Sequence, residues 1–305
     1  MKKSLVALAA MAAVGAASAQ SSVTLYGILD IGYSKTNAAG VKLGQNNGGT
    51  SFHTPSRFGL RGTEDLGGGM KANFGLESGN QDLSTGSTNV NFSRAAWVGL
   101  SGGFGDVKLG RIASVATFGQ ARFDFNGIST SSAQALVNLS PVVWYGSSRR
   151  DAQIQYTSPN MGGLEFGLGY VAAGDNANKS TTQVRVNYGN GPLQVGLAAE
   201  TARTAANRTA WALQGSYDLG VAKVMAGYAV APTVALGKGV NLGVAAPFGA
   251  TTLGLHASRN TETDATAYEL WANYALSKRT SLYLDYGKNN KTDVAKYGFG
   301  VQHNF

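Results

Sequence analysis

The fold class predicted by this sequence is all-β: a 16-stranded antiparallel transmembrane β-barrel. Three observations predict it. Apolar and polar residues alternate in short runs along nearly the whole chain. The connections between those runs alternate between short and long. The chain opens on an export signal, yet no later stretch could cross a bilayer as a helix. Successive side chains of a strand point to opposite faces, so each run has one oily and one wet face. A closed barrel gives the oily face to hydrocarbon and the wet face to water, and it leaves no backbone edge unpaired.

The first element is the leader. Met1-Lys2-Lys3 is followed by an almost wholly apolar run from Leu5 to Ala17 and then by Ala17-Ser18-Ala19. A basic start, a short apolar run and a small-residue site make a secretory signal peptide. The run is too short to span a bilayer, which takes about 20 apolar residues. The domain reading is therefore a signal peptide at 1–19 and a barrel at 20–305. Removing 19 of 305 residues leaves 286, and losing Lys2 and Lys3 takes the formal charge from +8 to +6. The chain has no cysteine, so disulfides and thiolate metal sites are excluded, and no metal or cofactor is expected. Forty-two glycines, 13 tyrosines and 6 prolines suit many strands joined by turns. The mean hydropathy of −0.09 is that of a chain whose strands are half polar. A sequence pI near 9.6 could suggest nucleic acid, but the basic residues are scattered singly along strands of an exported chain, so no nucleic-acid partner is expected.

The first strand carries Val23, Leu25, Leu29, Ile31 and Tyr33 in one phase, with Thr24, Tyr26, Ile28 and Asp30 in the other. A Gly/Asn-rich polar stretch follows, from 34 to about 50. The second strand runs to Glu64 with Arg57, Arg61 and Thr63 opposite Phe58 and Leu60. The third, 70–78, sets Ala72, Phe74 and Leu76 against Lys71, Asn73 and Glu77. Further strands are expected at 91–101, 105–111, 142–157, 163–172, 181–188, 192–201 and 208–217. The last six are expected at 221–230, 239–245, 250–258, 266–275, 280–287 and 296–305. Their wet faces include Glu165, Arg185, Asn187, Gln194, Glu200, Gln214, Glu269 and Asp285. The final strand has Tyr297, Phe299, Val301, His303 and Phe305 in one phase and Gly298, Gly300, Gln302 and Asn304 in the other. It ends on an aromatic, where a soluble chain would usually fray. Such an end fits a strand that pairs with another and faces lipid, with aromatics at the membrane boundary.

Short turns at 65–69, 102–104, 158–162, 189–191, 218–220, 246–249 and 276–279 alternate with longer segments at 34–50, 79–90, 112–141, 173–180, 202–207, 231–238, 259–265 and 288–295. Short turns at one rim and longer loops at the other is the layout of an outer-membrane barrel, and a soluble sandwich gives no reason for it. Strands bearing Glu, Arg, Asn and Gln on one face cannot bury both faces either. Even a few unpaired buried charges would cost more than a domain's whole net stability of about 5–15 kcal/mol. At this strand number the interior is expected to hold an aqueous channel.

Several motifs now carry a resemblance. Ser22-Val-Thr-Leu-Tyr-Gly-Ile-Leu-Asp30, Ser56-Arg-Phe-Gly-Leu-Arg-Gly62, Glu64-Asp-Leu-Gly67 and Phe92-Ser-Arg-Ala-Ala-Trp-Val-Gly-Leu100 are similar to the general porins of Gram-negative bacteria. So are Gly105-Asp-Val-Lys-Leu-Gly-Arg111, Tyr156-Thr-Ser-Pro159 and the terminal Phe305. The likeness covers the whole mature chain and is nearest to the anion-selective outer-membrane porins of beta-proteobacteria. It implies a homotrimer among outer-membrane lipids and a third loop folded inward to narrow the pore. It also implies passage of small anionic solutes, and recognition of the last strand, with Tyr297, Phe299 and Phe305, by the barrel assembly machinery.

The segment 112–141 is the longest connection, and long loops in compact folds are usually functional. It is where the inward loop should lie, with a helical turn over 114–119 and with Arg122, Asp124 and Asn126 presenting polar groups to the channel. The resemblance further implies a constriction formed by wall arginines and nearby acids. Arg57, Arg94 and Glu77 match that pattern by position. A third arginine falls at Arg149 or Arg150: period-two phasing back from Ile154 and Tyr156 puts Arg149 inward and Arg150 outward, whereas the neighbouring motif favours Arg150. Fixed charges lining a pore select ions, and Arg favours anions because it stays protonated and offers several donors. Three competitors are weighed against a passive channel. An outer-membrane enzyme would need a catalytic set, and none can be read from His53, His256 and His303. An adhesin-like barrel would carry longer loops. A specific uptake channel would show an aromatic run in the inward phase, and none is visible.

Overall fold

The computed structural model describes residues 21–37, 40–45, 53–79, 81, 83, 86, 90–127, 129, 132–140, 148–174, 179–202 and 204–305, so the expected leader lies outside the described residues. The first strands are β1 (Ser22–Thr36), β2 (Gly40–Gln45), β3 (Arg57–Gly67), β4 (Met70–Gly79), β5 (Ala95–Gly102) and β6 (Gly105–Ala113). Then come β7 (Arg149–Thr157), β8 (Leu164–Val171), β9 (Thr181–Asn190), β10 (Leu193–Glu200), β11 (Ala210–Asp218) and β12 (Lys223–Val230). The chain finishes with β13 (Lys238–Phe248), β14 (Thr251–Asn260), β15 (Ala265–Ala275), β16 (Thr280–Asn289) and β17 (Val294–Asn304). All pair in one 17-stranded sheet. Sixteen of these strands make the wall of a closed antiparallel barrel. The additional one, β2, folds back on the upper half of β1, above the stretch of β1 that pairs with β3. The stretch 34–50 read as polar loop therefore contains a strand, in whose sequence Val41 and Leu43 alternate with Lys42 and Gly44.

Closure joins the two ends of the chain. β1 pairs with β17 from Ile28↔Asn304 to Thr36↔Lys296. Beyond the last paired strand residue, the Phe305 amide donates to the Gly27 carbonyl at 3.1 Å, and the Gly27 amide donates back at 3.1 Å. A side chain at Gly27 would strike the Phe305 ring, so the glycine is the notch in which the terminal aromatic sits. The first and last wall strands leave no open edge between them.

The two faces separate by exposure. Val23, Leu25, Val98, Leu168, Tyr170, Leu213, Leu284 and Phe299 are all exposed on the outside, while Gln153, Gln183, Asn187, Gln214, Asn241, Glu269 and Asp285 are buried on the inside. An outward apolar phase running right round a sheet is the reverse of a soluble core and matches a hydrocarbon contact. Inward glycines keep the bore wide. Trp97 lies against Gly75, Trp271 against Gly254 and Tyr283 against Gly300, each ring filling the place of a missing side chain. The inward phase thus holds aromatic rings, set singly and flat on the wall, where the sequence showed no run.

Two connections at the long-loop rim are shorter than expected. β14 and β15 meet across residues 261–264, β16 and β17 across 290–293, with Asp264 (φ 52°) and Asp293 (φ 54°) in the left-handed conformation that aspartate tolerates. Both flanking strands run on further because Asn260 and Asn289, which read as loop residues, are inward strand ends.

Gly300→Val tests the glycine account. A Cβ there would lie 2.3 Å from the Tyr283 hydroxyl and 2.6 Å from the Ile31 carbonyl oxygen. The backbone oxygen cannot swing away, so the variant is expected to lose about 1–3 kcal/mol through overpacking. The check is the temperature at which the folded barrel converts to the unfolded band on SDS gels.

Candidate functional site

The inner wall is divided into two unlike halves by residues 114–140, which fold into the lumen. A helix at Val115–Ala121 packs on β8 to β11, and a short one at Ala133–Leu136 packs on β14 to β16. The first helix is seated by the Val115 amide donating to Gln183 at 2.8 Å. The loop buries Ala116, Ala133, Val137 and Leu139 against Ala198, Ala210, Ala212, Ala229, Ala265 and Ala267 of the wall. Small apolar side chains on an otherwise polar face make a dry platform for the loop. Polar groups then fix its position: Asn260 donates to the Val137 carbonyl at 2.8 Å and Asn289 to the Leu136 carbonyl at 2.7 Å.

Asn126 makes the deepest anchor. Its amide nitrogen donates to Glu269 at 2.7 Å and to Asp285 at 2.6 Å, two carboxylates that are at most 1% exposed. Ser129 adds a bond to Glu269 at 3.2 Å, and His256 sits 2.9 Å from its other oxygen. Asn126 and Asp124 were expected to present polar groups to the channel. Both are 7% exposed and turned to the wall, with Asp124 accepting from the Asn126 amide at 3.0 Å. The physical reason for Asn126 is that the buried Glu269 and Asp285 need a donor, and Asp124 folds back onto the backbone N–H of Asn126. Arg122 stays exposed, as does Phe118.

The opposite half, on β3 to β7, holds the arginines. Arg94 donates from Nε to Glu77 at 2.5 Å, while Tyr26 donates to the other carboxylate oxygen at 3.0 Å. Arg57 Nε stands 4.0 Å from the same carboxylate, and its terminal nitrogen donates to Thr54 and to the Pro55 carbonyl. The stem of Arg94 lies over Gly79, where a Cβ would collide with it. Arg149 joins this group, close enough to feel the charges of Arg94, Glu77 and Arg57. One carboxylate thus bonds Arg94 and lies 4.0 Å from Arg57, with Arg149 within range of its charge. Tyr26 was the partner that sequence reasoning missed. Its inward phase was visible, but nothing marked it as the hydroxyl that completes Glu77.

Arg150 goes elsewhere. It is 2% exposed and forms a two-pronged pair with Glu200 at 3.1 and 2.9 Å, so it does not point outward as period-two phasing expects. The phase slips at a register shift between Gly110 and Ile112 and at Ala152, whose φ is +46°. A bulge places an extra residue in one strand and breaks the alternation there, so counting in twos from Ile154 does not carry to Arg149 and Arg150. Arg111, by contrast, pairs with Asp151 and with the Ser93 carbonyl. At the end of the chain, Tyr297 and Phe299 are exposed on the outer face and Phe305 caps the seam at Gly27.

A closed barrel with an oily outer wall, a polar lumen and a loop narrowing the bore is a transmembrane diffusion channel. The chain belongs to the Gram-negative porin family, whose model matches residues 5–304. It is similar to outer membrane porin protein 32 of Delftia acidovorans, 38% identical over 245 residues, spanning 73% of this chain and 68% of that protein. It is 30% identical to an outer membrane porin protein of Bordetella pertussis over the full length of both. Among solved structures it resembles the anion-selective porin from Comamonas acidovorans, with a TM-score of 0.72, 26% identity, and coverage of 94% of this chain and 100% of that one. The chain is an outer-membrane porin that forms a diffusion channel.

Two predictions follow from the anchors. Arg150→Met takes the two-pronged cation partner from the buried Glu200 and is expected to cost about 3–5 kcal/mol, most of it recovered in the Arg150→Met/Glu200→Leu double variant. Urea unfolding of the three proteins in detergent is the measurement. The second concerns His53, which lies 3.4 Å from Asp285 and 3.1 Å from Gln302 and stacks on Tyr283 with ring centroids 4.2 Å apart. Burial opposes its protonation, but Asp285, with Asp30 behind it, prevails and its pKa is raised. A raised pKa means the contribution is full below the ordinary histidine range and is lost as pH rises through the raised value. The protection factors of the amides of residues 53, 54 and 56, which take out the intrinsic base-catalysed rate, are expected to fall as pH rises from neutral to mildly alkaline, and His53→Gln should abolish that fall.

Proposed function

We propose that this porin is a passive channel for small hydrophilic solutes that prefers anions, and that Arg57, Arg94 and Arg149 around Glu77 form its selective constriction. One observation carries the reading. Five inward carboxylates, Asp30, Asp124, Glu200, Glu269 and Asp285, are each at most 7% exposed and engaged with protein partners, and the more exposed Asp106, Asp151 and Glu165 are each paired with a cation. Arg57, Arg94 and Arg149 stand on the half of the lumen opposite the loop's anchors, with Glu77 among them. A field of that sign raises the local concentration of anions and repels cations, and it acts at short range because salt screens charges over about 8–10 Å. The guanidinium groups serve as fixed, always-protonated donors to a passing carboxylate or phosphate, each contact brief enough to release the ion onward. The anion selectivity of the Comamonas relative fits the same reading.

A catalytic reading has less support. His53 is engaged with Asp285, His256 with Glu269 and His303 with Thr280 at 2.9 Å, so each histidine has a structural task. The family resemblance further supports a homotrimer in outer-membrane lipid, and it supports Tyr297, Phe299 and Phe305 as the segment read by the assembly machinery.

The test is a planar bilayer with a KCl gradient. The wild-type reversal potential is expected to have the anion-selective sign, and the Arg57→Gln/Arg94→Gln double variant is expected to move it toward zero. A reversal potential unchanged in the double variant would remove those two residues from the constriction.

A further inference from the structure

Below the arginine group, toward the mouth formed by the short turns, the inner wall of β1 and β3 to β6 is hollowed into a recess of about 320 Å³. That volume is at the low end for small-ligand sites, which run from about 300 to 1,000 Å³. Arg61 stands over it. Its guanidinium lies 5.2 Å from the centre of the Tyr26 ring, and among the described residues no carboxylate pairs with it. A ring face holds the cation in place without consuming its N–H donors. Across the recess Lys108 lies 4.7 Å over the Trp97 ring and 3.0 Å from Asp106. Two cations against one carboxylate leave the recess net positive.

The floor between them is biased toward donation. Thr63 donates to the Asn73 carbonyl oxygen at 2.9 Å, and the Asn73 amide donates to the Ser101 hydroxyl oxygen at 2.9 Å. With its oxygen accepting, Ser101 is left with a proton to give, and Asn73 keeps a second N–H. A guanidinium, an ammonium, a hydroxyl and an amide N–H therefore converge on one small volume. Arg61 is four residues from Arg57 along β3, about 13 Å at roughly 3.3 Å per residue. That separation is about one and a half screening lengths, so the field of the second group takes over as that of the first fades.

We propose that this recess is a second oxyanion station, distinct from the arginine constriction, which holds a small carboxylate or phosphate at the short-turn mouth. Arg61 is the principal donor and the Thr63–Asn73–Ser101 relay the orienting floor. The inference deepens the anion-channel reading and rests on it, since it names the ion class that would pause there.

The experiment is side-specific block of single channels in a KCl background, with inorganic phosphate or acetate added at the short-turn mouth. Wild-type conductance is expected to fall saturably with phosphate. Arg61→Gln is expected to raise the half-blocking concentration on the order of tenfold through loss of a charge-assisted donor. Asn73→Ala, which changes no charge, should weaken the block several-fold while the reversal potential stays put. Block by both anions identifies a general oxyanion station, and block by phosphate alone a phosphate-preferring one. The Arg57→Gln/Arg94→Gln variant is expected to lose anion preference yet keep the wild-type half-blocking concentration, which separates the two sites. A wild-type channel with no anion preference but an Arg61-dependent block would overturn the constriction and leave the station standing. Equal half-blocking concentrations in wild type, Arg61→Gln and Asn73→Ala, all with wild-type circular dichroism, would overturn the station.

Discussion

A strand edge cannot be left open in hydrocarbon, where no water satisfies its backbone groups, and the rest of this molecule is arranged around that constraint. The first and last wall strands must meet, so the end of the chain is pinned into the sheet by two reciprocal bonds between Gly27 and Phe305 instead of fraying. The seam in turn demands a notch, and glycine supplies it. Closure also forces the outward phase of every strand to be oily. All polar information is thereby confined to the inward phase, and the lumen is the only place where residues such as Glu77, Arg94 and Asn126 can specify anything.

Within the lumen two kinds of small residue do different jobs. Glycines lie under rings and long stems, so Trp97, Trp271, Tyr283 and Arg94 flatten onto the wall and the bore stays open. Alanines on β10, β11, β12 and β15 instead offer a dry surface, and the inward loop settles on it through Ala116, Ala133, Val137 and Leu139. Apolar contact alone slides easily, being non-directional. The loop is held in register by Asn126, Asn260 and Asn289, each making bonds of 2.6–2.8 Å across to its partner surface.

Much of the barrel was legible because a period of two is hard to mistake when one phase faces lipid. Leu168, Val186, Leu213 and Leu284 announced their strands. What failed did so for identifiable reasons. Alanine is silent about its environment, so the platform under the loop left no mark in the sequence. Asn260 and Asn289 looked like loop because inward polar residues at a strand end resemble a turn, and two connections were drawn too long. The contest between Arg149 and Arg150 could not be resolved by counting in twos, since the bulge at Ala152 lies between them and the residues used to set the phase. Asp124 and Asn126 were rightly placed on the inward loop, but their direction depended on Glu269 and Asp285, more than 130 residues further on.

Those last contacts bind the shape of the pore to its charge. The inward phase carries acids as well as bases, and a lumen wetting all of them would have little preference for either sign. The docked loop changes the balance because its anchors are the acids themselves. Glu269 and Asp285 accept from Asn126, and the loop they hold covers them. Burying a carboxylate is unfavourable unless it is hydrogen-bonded, and the loop that covers the two acids supplies each with a donor, beside His256 at Glu269 and His53 at Asp285. Narrowing the bore and hiding the negative charge are therefore one event. On the other half of the lumen Arg57 and Arg94 stay partly exposed around Glu77, away from the acids that the loop covers.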